Sequence, residues 1–324
     1  NTNDFHFDTE IIIQLMFAGL RIRELPIPTY YGDEISHVNG LKYARDVTRA
    51  VVRAAAQRLG LLYDRRFDCE PSGRALERYE LKLGYRSPHS LALERVRPGA
   101  RILDLGCAGG TLAEILQREK GCRVTAVDRV PPGRRIEVDK LVVHDLDEGP
   151  PELDLGDYDQ ILILDVLEHL SSPESFVEKL RDALKLSPAA ELLVSTANIG
   201  FFINRLMLLL GQFNYGRRGV LDLTHTRLFT FASFIRLFEQ AGFSAVETVG
   251  VPGPFPLAVG DNALGRALLR INQWLIRISR GLFSYQAFLV VRPLPSLEYL
   301  LREAHSHSAK RSEQADGRLS PPNP

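Results

Sequence analysis

The chain has 324 residues, 45% hydrophobic and 25% charged, which excludes a disordered polypeptide and leaves room for one large domain plus an appendage. Forty basic residues cancel forty acidic ones, so the overall charge calls for no polyanionic partner, and no nucleic acid is expected. Three cysteines, Cys69, Cys107 and Cys122, are too scattered for a disulfide framework or a zinc knuckle and point to a reducing, cytoplasmic setting, while no apolar run approaches the roughly 18–20 residues of a bilayer span and no signal segment opens the chain.

In chain order, "FHFDTEIIIQLMFAGL", from Phe5 to Leu20, predicts a helix stopped by Gly19, and Pro26 and Pro28 then impose an extended segment. Gly40 to Leu59 predicts an amphipathic second helix. The polar stretch "YDRRFDCEPSGR" reads as a linker, and "ALERYELKLGYRSPHSLALERV" reads as helix interrupted around Pro88. Strands and helices then alternate: strand Arg101 to Leu105, helix Thr111 to Glu119, strand Arg123 to Val127, a short strand near Leu141 to Val143, strand Gln160 to Leu164, helix Pro173 to Leu184 and strand Glu191 to Ser195. Such alternation means parallel strands joined by crossover helices, an α/β doubly wound sheet. A helix at Phe231 to Ala241, a strand at Phe243 to Val249 and the strand "YQAFLVVRP" complete it, with apolar, arginine-bearing insertions at Asn198–Val220 and Gly260–Phe283. The tail is polar and expected to be disordered.

In an open parallel sheet the ligand lies beyond the carboxyl ends of the strands. Here those ends are acidic or glycine-rich: Asp104, Gly106, Gly109 and Gly110 follow the first strand, Asp128 the second, Asp145 the third, and Asp165, Glu168 and His169 the fourth. A phosphate-cradling loop would need Lys and Ser or Thr after its last glycine, and Gly110 is followed by "TLAE". A pyrophosphate would be repelled by Asp104. Glycines beside carboxylates suit a ligand with a cationic end, and an ionised Asp128 can accept both hydroxyls of a ribose. Taken singly, each glycine reads equally as a tight turn and each acid as a cap or an ion-pair partner.

The stretches "LDLGCAGG", "VTAVDRV", "VVHDLDE" and "YDQILILDVLEHL" together resemble the successive motifs of class I S-adenosylmethionine-dependent methyltransferases, over about Arg101 to Ser195. The resemblance implies a Rossmann-like seven-stranded sheet with S-adenosylmethionine as cofactor. It implies that Asp104, Gly106 and Gly109 line the methionine and ribose portion, that Asp128 holds the ribose hydroxyls, that Asp145 with Leu146 faces the adenine, and that Asp165 edges the methionine and substrate side. "DVLEHL" and "LTHTRLFT" resemble the branch that methylates small molecules, lipid quinones and sugars. A hydroxyl acceptor needs a base, for which His169 and His225 are the candidates, and Arg227 is placed to grip an anionic or sugar acceptor. A structural reading stands beside each histidine, for His169 a backbone-bonding residue at a helix start. No metal is expected.

The opening "NDFHFDTEIIIQLMFAGLRIRELPIPTYYGDE" resembles the carboxyl-terminal portion of family-two glycosyltransferases of the dolichyl-phosphate-mannose synthase type, singling out Asp8 and Glu10. A plain helical dimerisation or lid element is the alternative. The expected organisation is a helical glycosyltransferase remnant at 1–60, a linker at 61–73, a methyltransferase domain at 74–293 and the tail at 294–324, all within a longer parent polypeptide. The expected activity is O-methylation of a saccharide or lipid-linked glycan. Two alternatives are a quinone or other small-molecule O- or N-methyltransferase and a non-catalytic cofactor-binding or membrane-docking partner of a glycosyltransferase. The insertions read either as a lid over the sheet or as segments in peripheral contact with the inner face of a membrane, arginines toward the head groups.

Overall fold

The computed structural model describes residues 1, 3–26, 28, 38–58, 63–69, 84–216, 219–256, 260 and 262–316. The chain divides into two units: a smaller one of Asn1–Glu80, Phe202–Thr224 and Pro254–Ile271, and a larger one of Leu81–Phe201, His225–Gly253 and Asn272–Pro324.

The larger unit is an α/β layer structure around a seven-stranded sheet. Strands β1 (Arg101–Leu105), β2 (Arg123–Asp128), β3 (Lys140–Val143), β4 (Gln160–Leu164) and β5 (Glu191–Ala197) are mutually parallel, β6 (Phe243–Val251) runs in the same direction, and β7 (Gln286–Pro293) is inserted antiparallel between β5 and β6, in the order β3-β2-β1-β4-β5-β7-β6. The central strands are near-continuous apolar runs because both faces are covered. Their alternation divides the core in two. Leu103, Leu105, Ile161 and Ile163 join Phe176 and Leu180 of α5 (Pro173–Ala183) and Phe234 and Phe238 of α7 (Phe231–Gln240). Ile102 and Leu162 point the other way, toward Leu91 of α3 (Pro88–Arg95) and Leu112 and Leu116 of α4 (Thr111–Lys120). Each such side chain contributes roughly 1.5–3 kcal/mol on burial.

Pro88 starts α3 rather than interrupting a helix: it follows the N-cap Ser87, whose side chain and that of Ser90 form a reciprocal capping box. Proline fits there because its missing N–H has no intrahelical partner to lose. The part of that helix expected before residue 84 lies outside the described residues, as does most of the "PIPTYYG" segment. The tail expected to be disordered carries a helix instead, Leu297–Asp316. Its Leu, Glu, Arg and Ala content favours helix, Ser296 Oγ accepts the Tyr299 N–H at 3.1 Å, and Glu298 lies 3.1 Å from Lys185.

In the smaller unit, α1 (Phe7–Phe17) and α2 (Gly40–Arg58) enclose a small core of Ala50, Ala54 and Phe67, with Ile13 and Phe17 packed against it. Glu10 is fully buried and paired with Arg66, a structural partnership, whereas Asp8 is exposed and accepts the N–H of Thr9. The 198–220 insertion includes the helix α6 (Phe202–Leu209), and the second insertion includes α8 (Ala263–Ile278) and the short α9 (Arg280–Phe283). Among the described residues, no helix is long and apolar enough to cross a membrane.

Candidate active site

Strand order reverses between β1 and β4, and the acids singled out in the sequence cluster at that end of the sheet. Asp104, one residue before the end of β1, is buried, and its Oδ2 has no hydrogen-bond partner. Burial, reinforced by the charge of Asp128, pushes its carboxyl up to about 7. An ionised carboxylate in such surroundings is costly unless a cation or donors complete it.

The turn after β1 separates the glycines by role. Gly106 has φ +82° and a Cβ there would drive into Val166 Cγ2, while Gly110 has φ +71° and its Cβ would stand 2.7 Å from Ile136 Cδ1. Both serve the packing of the turn. Gly109 is different: a Cβ would meet nothing nearer than Thr111 Oγ1 at 4.0 Å, so that side of the turn is open, while its carbonyl accepts from Arg134 Nη2 at 3.4 Å. Gly106 and Cys107 donate their amides to Val127 O at 2.8 and 3.0 Å, which fastens the turn to β2. Burial, then Asp104 and Asp128, push the Cys107 thiol up, away from thiolate chemistry.

Asp128 ends β2 with both oxygens anchored: Oδ2 accepts the Ala108 N–H at 2.8 Å and Oδ1 the Val130 N–H at 3.0 Å. A carboxylate has about four acceptor sites, so each oxygen keeps one for a hydroxyl. Asp145 caps the single turn Leu146–Glu148 by accepting the Asp147 N–H at 3.1 Å. The Leu146 side chain is buried in the core, which leaves only its main chain to face a ligand.

Asp165, just past β4, takes φ +54°, a region where Asp is among the better tolerated non-glycine residues. Ser195 Oγ donates to its Oδ1 at 2.6 Å and Gln286 Nε2 to its Oδ2 at 2.7 Å, binding the ends of β4, β5 and β7 together. Tyr85 stands in the field of Asp165. Its hydroxyl is buried without a partner, and burial, then that charge, push it up to about 12. Glu168 is buried too: Oε1 accepts the Ala197 N–H at 3.2 Å, Oε2 has no partner, and burial followed by the Asp165 charge holds the carboxyl above the usual range.

The Glu168 carbonyl accepts the amides of Thr226 and Arg227 at 2.9 and 3.1 Å. This seats the 225–227 segment on the single turn Leu167–His169 and brings His169 and His225 together, their ring centroids 4.9 Å apart and nearly perpendicular. Arg227 is drawn to the surface, where its guanidinium lies 3.5 Å from Glu174. Sequence reasoning left Glu168 without a role and missed Ser195, Gln286 and Tyr85. A polar residue at the end of an apolar strand run, as in "LLVST" and "YQAFLVV", is the available signal for the middle two. A candidate cation grouping among the described residues, Asp4, His6 and Asp46, stands in the smaller unit, with Lys42 and Arg45 already paired to its acids.

A family model described as a methyltransferase domain matches residues 77–248, more than half of the chain. The ubiquinone biosynthesis O-methyltransferase of Caulobacter sp. (strain K31) is 30% identical over 193 residues, covering 57% of this chain and 69% of that protein. The protein of the same name from Xylella fastidiosa (strain M23) is 35% identical over 112 residues. The chain spans 43% of that relative's length. Among solved structures, the Burkholderia thailandensis 1,6-didemethyltoxoflavin-N1-methyltransferase with bound 1,6-didemethyltoxoflavin and S-adenosylhomocysteine is 18% identical, with 81% of this chain and 93% of that one covered at a TM-score of 0.39. A methyltransferase from Aquifex aeolicus is 16% identical, covering 66% of this chain and 93% of that one at a TM-score of 0.41.

Proposed function

The chain belongs to the S-adenosylmethionine-dependent methyltransferase family, and from that premise we propose that it O-methylates a small-molecule acceptor at the β1–β4 reversal. The observation that carries the reading is the buried Asp104 carboxylate with an orphaned Oδ2, beside a glycine turn open at Gly109 and an Asp128 with acceptor capacity to spare. These residues fit a nucleoside bearing a cationic group: Asp104 gains a counter-charge, the Gly109 main chain allows close approach, and Asp128 takes the ribose hydroxyls. When bound, S-adenosylmethionine supplies an electrophilic methyl group on a sulfonium.

The protein's own part is alignment and proton transfer. Asp165, clamped by Ser195 and Gln286, fixes the methionine and acceptor side, and His169 with His225 accepts the proton that an acceptor hydroxyl sheds. The names of the relatives favour a phenolic, quinone-type acceptor over the lipid-linked glycan expected first. The saccharide reading keeps one support, the glycosyltransferase-like opening around Asp8 and Glu10, which lies outside the residues matched by the family model.

Turnover of S-adenosylmethionine with catechol-bearing quinone precursors, run beside sugar phosphates and glycan extracts, tests the proposal. Methylation of the precursors alone is expected. Methylation of the sugars alone would move the acceptor to the saccharide class, and none on either would overturn the activity.

A further inference from the structure

A cavity of about 550 Å³ opens at the outer edge of the larger unit's sheet, against the C-terminal half of β6. Three arginines reach it from separate elements: Arg86 from the segment before α3, Arg277 from α8 and Arg280 from α9, with Gln273 beside them. Gly250 lets these helices approach the strand, since a Cβ there would stand 2.7 Å from Ile276 Cγ2. Arg280 is held in place: Nη1 donates to Thr248 O at 2.8 Å and to the Thr248 hydroxyl, and the guanidinium lies 6.0 Å from the Phe231 ring centroid.

Among the described residues, none of the three forms an ion pair with a carboxylate. The neighbouring acid, Glu247, accepts from Arg95 through Nε at 2.9 Å and Nη2, and after Arg95 it is Arg86 whose charge helps hold that carboxyl below the usual range, so one acid serves two arginines. Three exposed guanidinium groups around one hollow, with a single neighbouring acid already bonded to Arg95, give it a positive potential that an anionic ligand complements. Their planar forks match phosphoryl oxygens, and a volume of this size holds a whole ester rather than a lone ion. The register places the cavity at the catalytic end of the sheet: Val251 of β6 pairs with Gln286 of β7, whose amide holds Asp165.

We propose that this cavity is a phosphoryl-binding subsite that takes a phosphate or diphosphate ester through Arg86, Arg277 and Arg280. The inference does not rest on the methyl-transfer reading, because its test reads binding alone.

Calorimetric titration of the full chain with inorganic pyrophosphate should show saturable 1:1 binding that weakens at least tenfold in Arg277→Gln and in Arg86→Gln, two exposed positions. The surface control Arg118→Gln should bind as the parent does, and unchanged melting temperatures should show that the variants fold. Competition then assigns the source of the phosphoryl group. Displacement of pyrophosphate by phosphatidylglycerol vesicles, but not by phosphatidylcholine vesicles, identifies a lipid head group, and displacement by a soluble sugar phosphate alone identifies a free ester. Absence of saturable pyrophosphate binding, or binding that survives both arginine substitutions, would overturn the proposal.

Discussion

His169 and His225, far apart in sequence, meet edge to face with ring centroids 4.9 Å apart because the Glu168 carbonyl holds the amides of Thr226 and Arg227. A base that shares its site with a second imidazole can be separated from a structural histidine by kinetics. His225→Ala is expected to lower kcat about 10²-fold or more with the melting temperature nearly unchanged, the size of effect typical of a positioned general base. Steady-state turnover on a hydroxyl acceptor checks this, and an unchanged kcat in His225→Ala and likewise in His169→Ala would remove the pair from the chemistry.

Asp104 links the site to pH. Its carboxyl is pushed from an ordinary 3.8 to about 7, so the folded protein binds more protons than the unfolded chain between those values. Stability from this group is therefore greatest at low pH and declines as pH rises through that window. A cationic ligand reverses the preference, because it favours the ionised acid. S-adenosylmethionine affinity is expected to rise up to about tenfold per pH unit below 7 and to level off above it, with proton release on binding visible as a dependence of the heat on buffer. Asp104→Asn should flatten the profile; a parent profile that is already flat would contradict the role.

The glycines of the turn make a paired prediction. Gly106→Ala combines a positive φ with a collision at Val166 and is expected to cost roughly 2–4 kcal/mol of stability. Gly109→Ala meets nothing nearer than 4.0 Å, so thermal unfolding should change little while S-adenosylmethionine affinity falls about tenfold. Equal effects of the two substitutions on affinity and melting would mean that the open space at Gly109 is not a ligand surface.

Gln286 is expected to act through Asp165. Gln286→Leu strands a carboxylate oxygen now bonded at 2.7 Å, at a cost of about 1–3 kcal/mol, and should raise the KM for acceptor more than it lowers kcat. Restoration of the parent KM by Gln286→Asn would instead indicate that any amide at this strand end suffices.

Much of this arrangement is legible in the sequence, for a physical reason. Strands buried on both faces must be apolar throughout, so an acid that closes such a run, as in "RILDL" or "RVTAVD", is conspicuous and marks the ligand end of the sheet. What escapes is long-range pairing. Gln286 and Asp165 are 121 positions apart, and the insertion of β7 between β5 and β6 that joins them follows from no local pattern. Which atoms of Leu146 could meet a ligand is equally hidden, because its apolar side chain is drawn into the core and only its main chain is left at the strand end. Polarity misleads at the tail, where good helix formers and the Ser296 cap support a helix over Leu297–Asp316.

The most direct measurement is the calorimetric affinity of the full chain for S-adenosylmethionine, taken with Asp128→Ala and Arg118→Gln alongside. Stoichiometric binding by the parent and by Arg118→Gln, with a loss of about tenfold or more in Asp128→Ala, is the expected result. No binding by the parent, or equal binding by all three, would contradict a nucleoside site at the ends of β1 and β2.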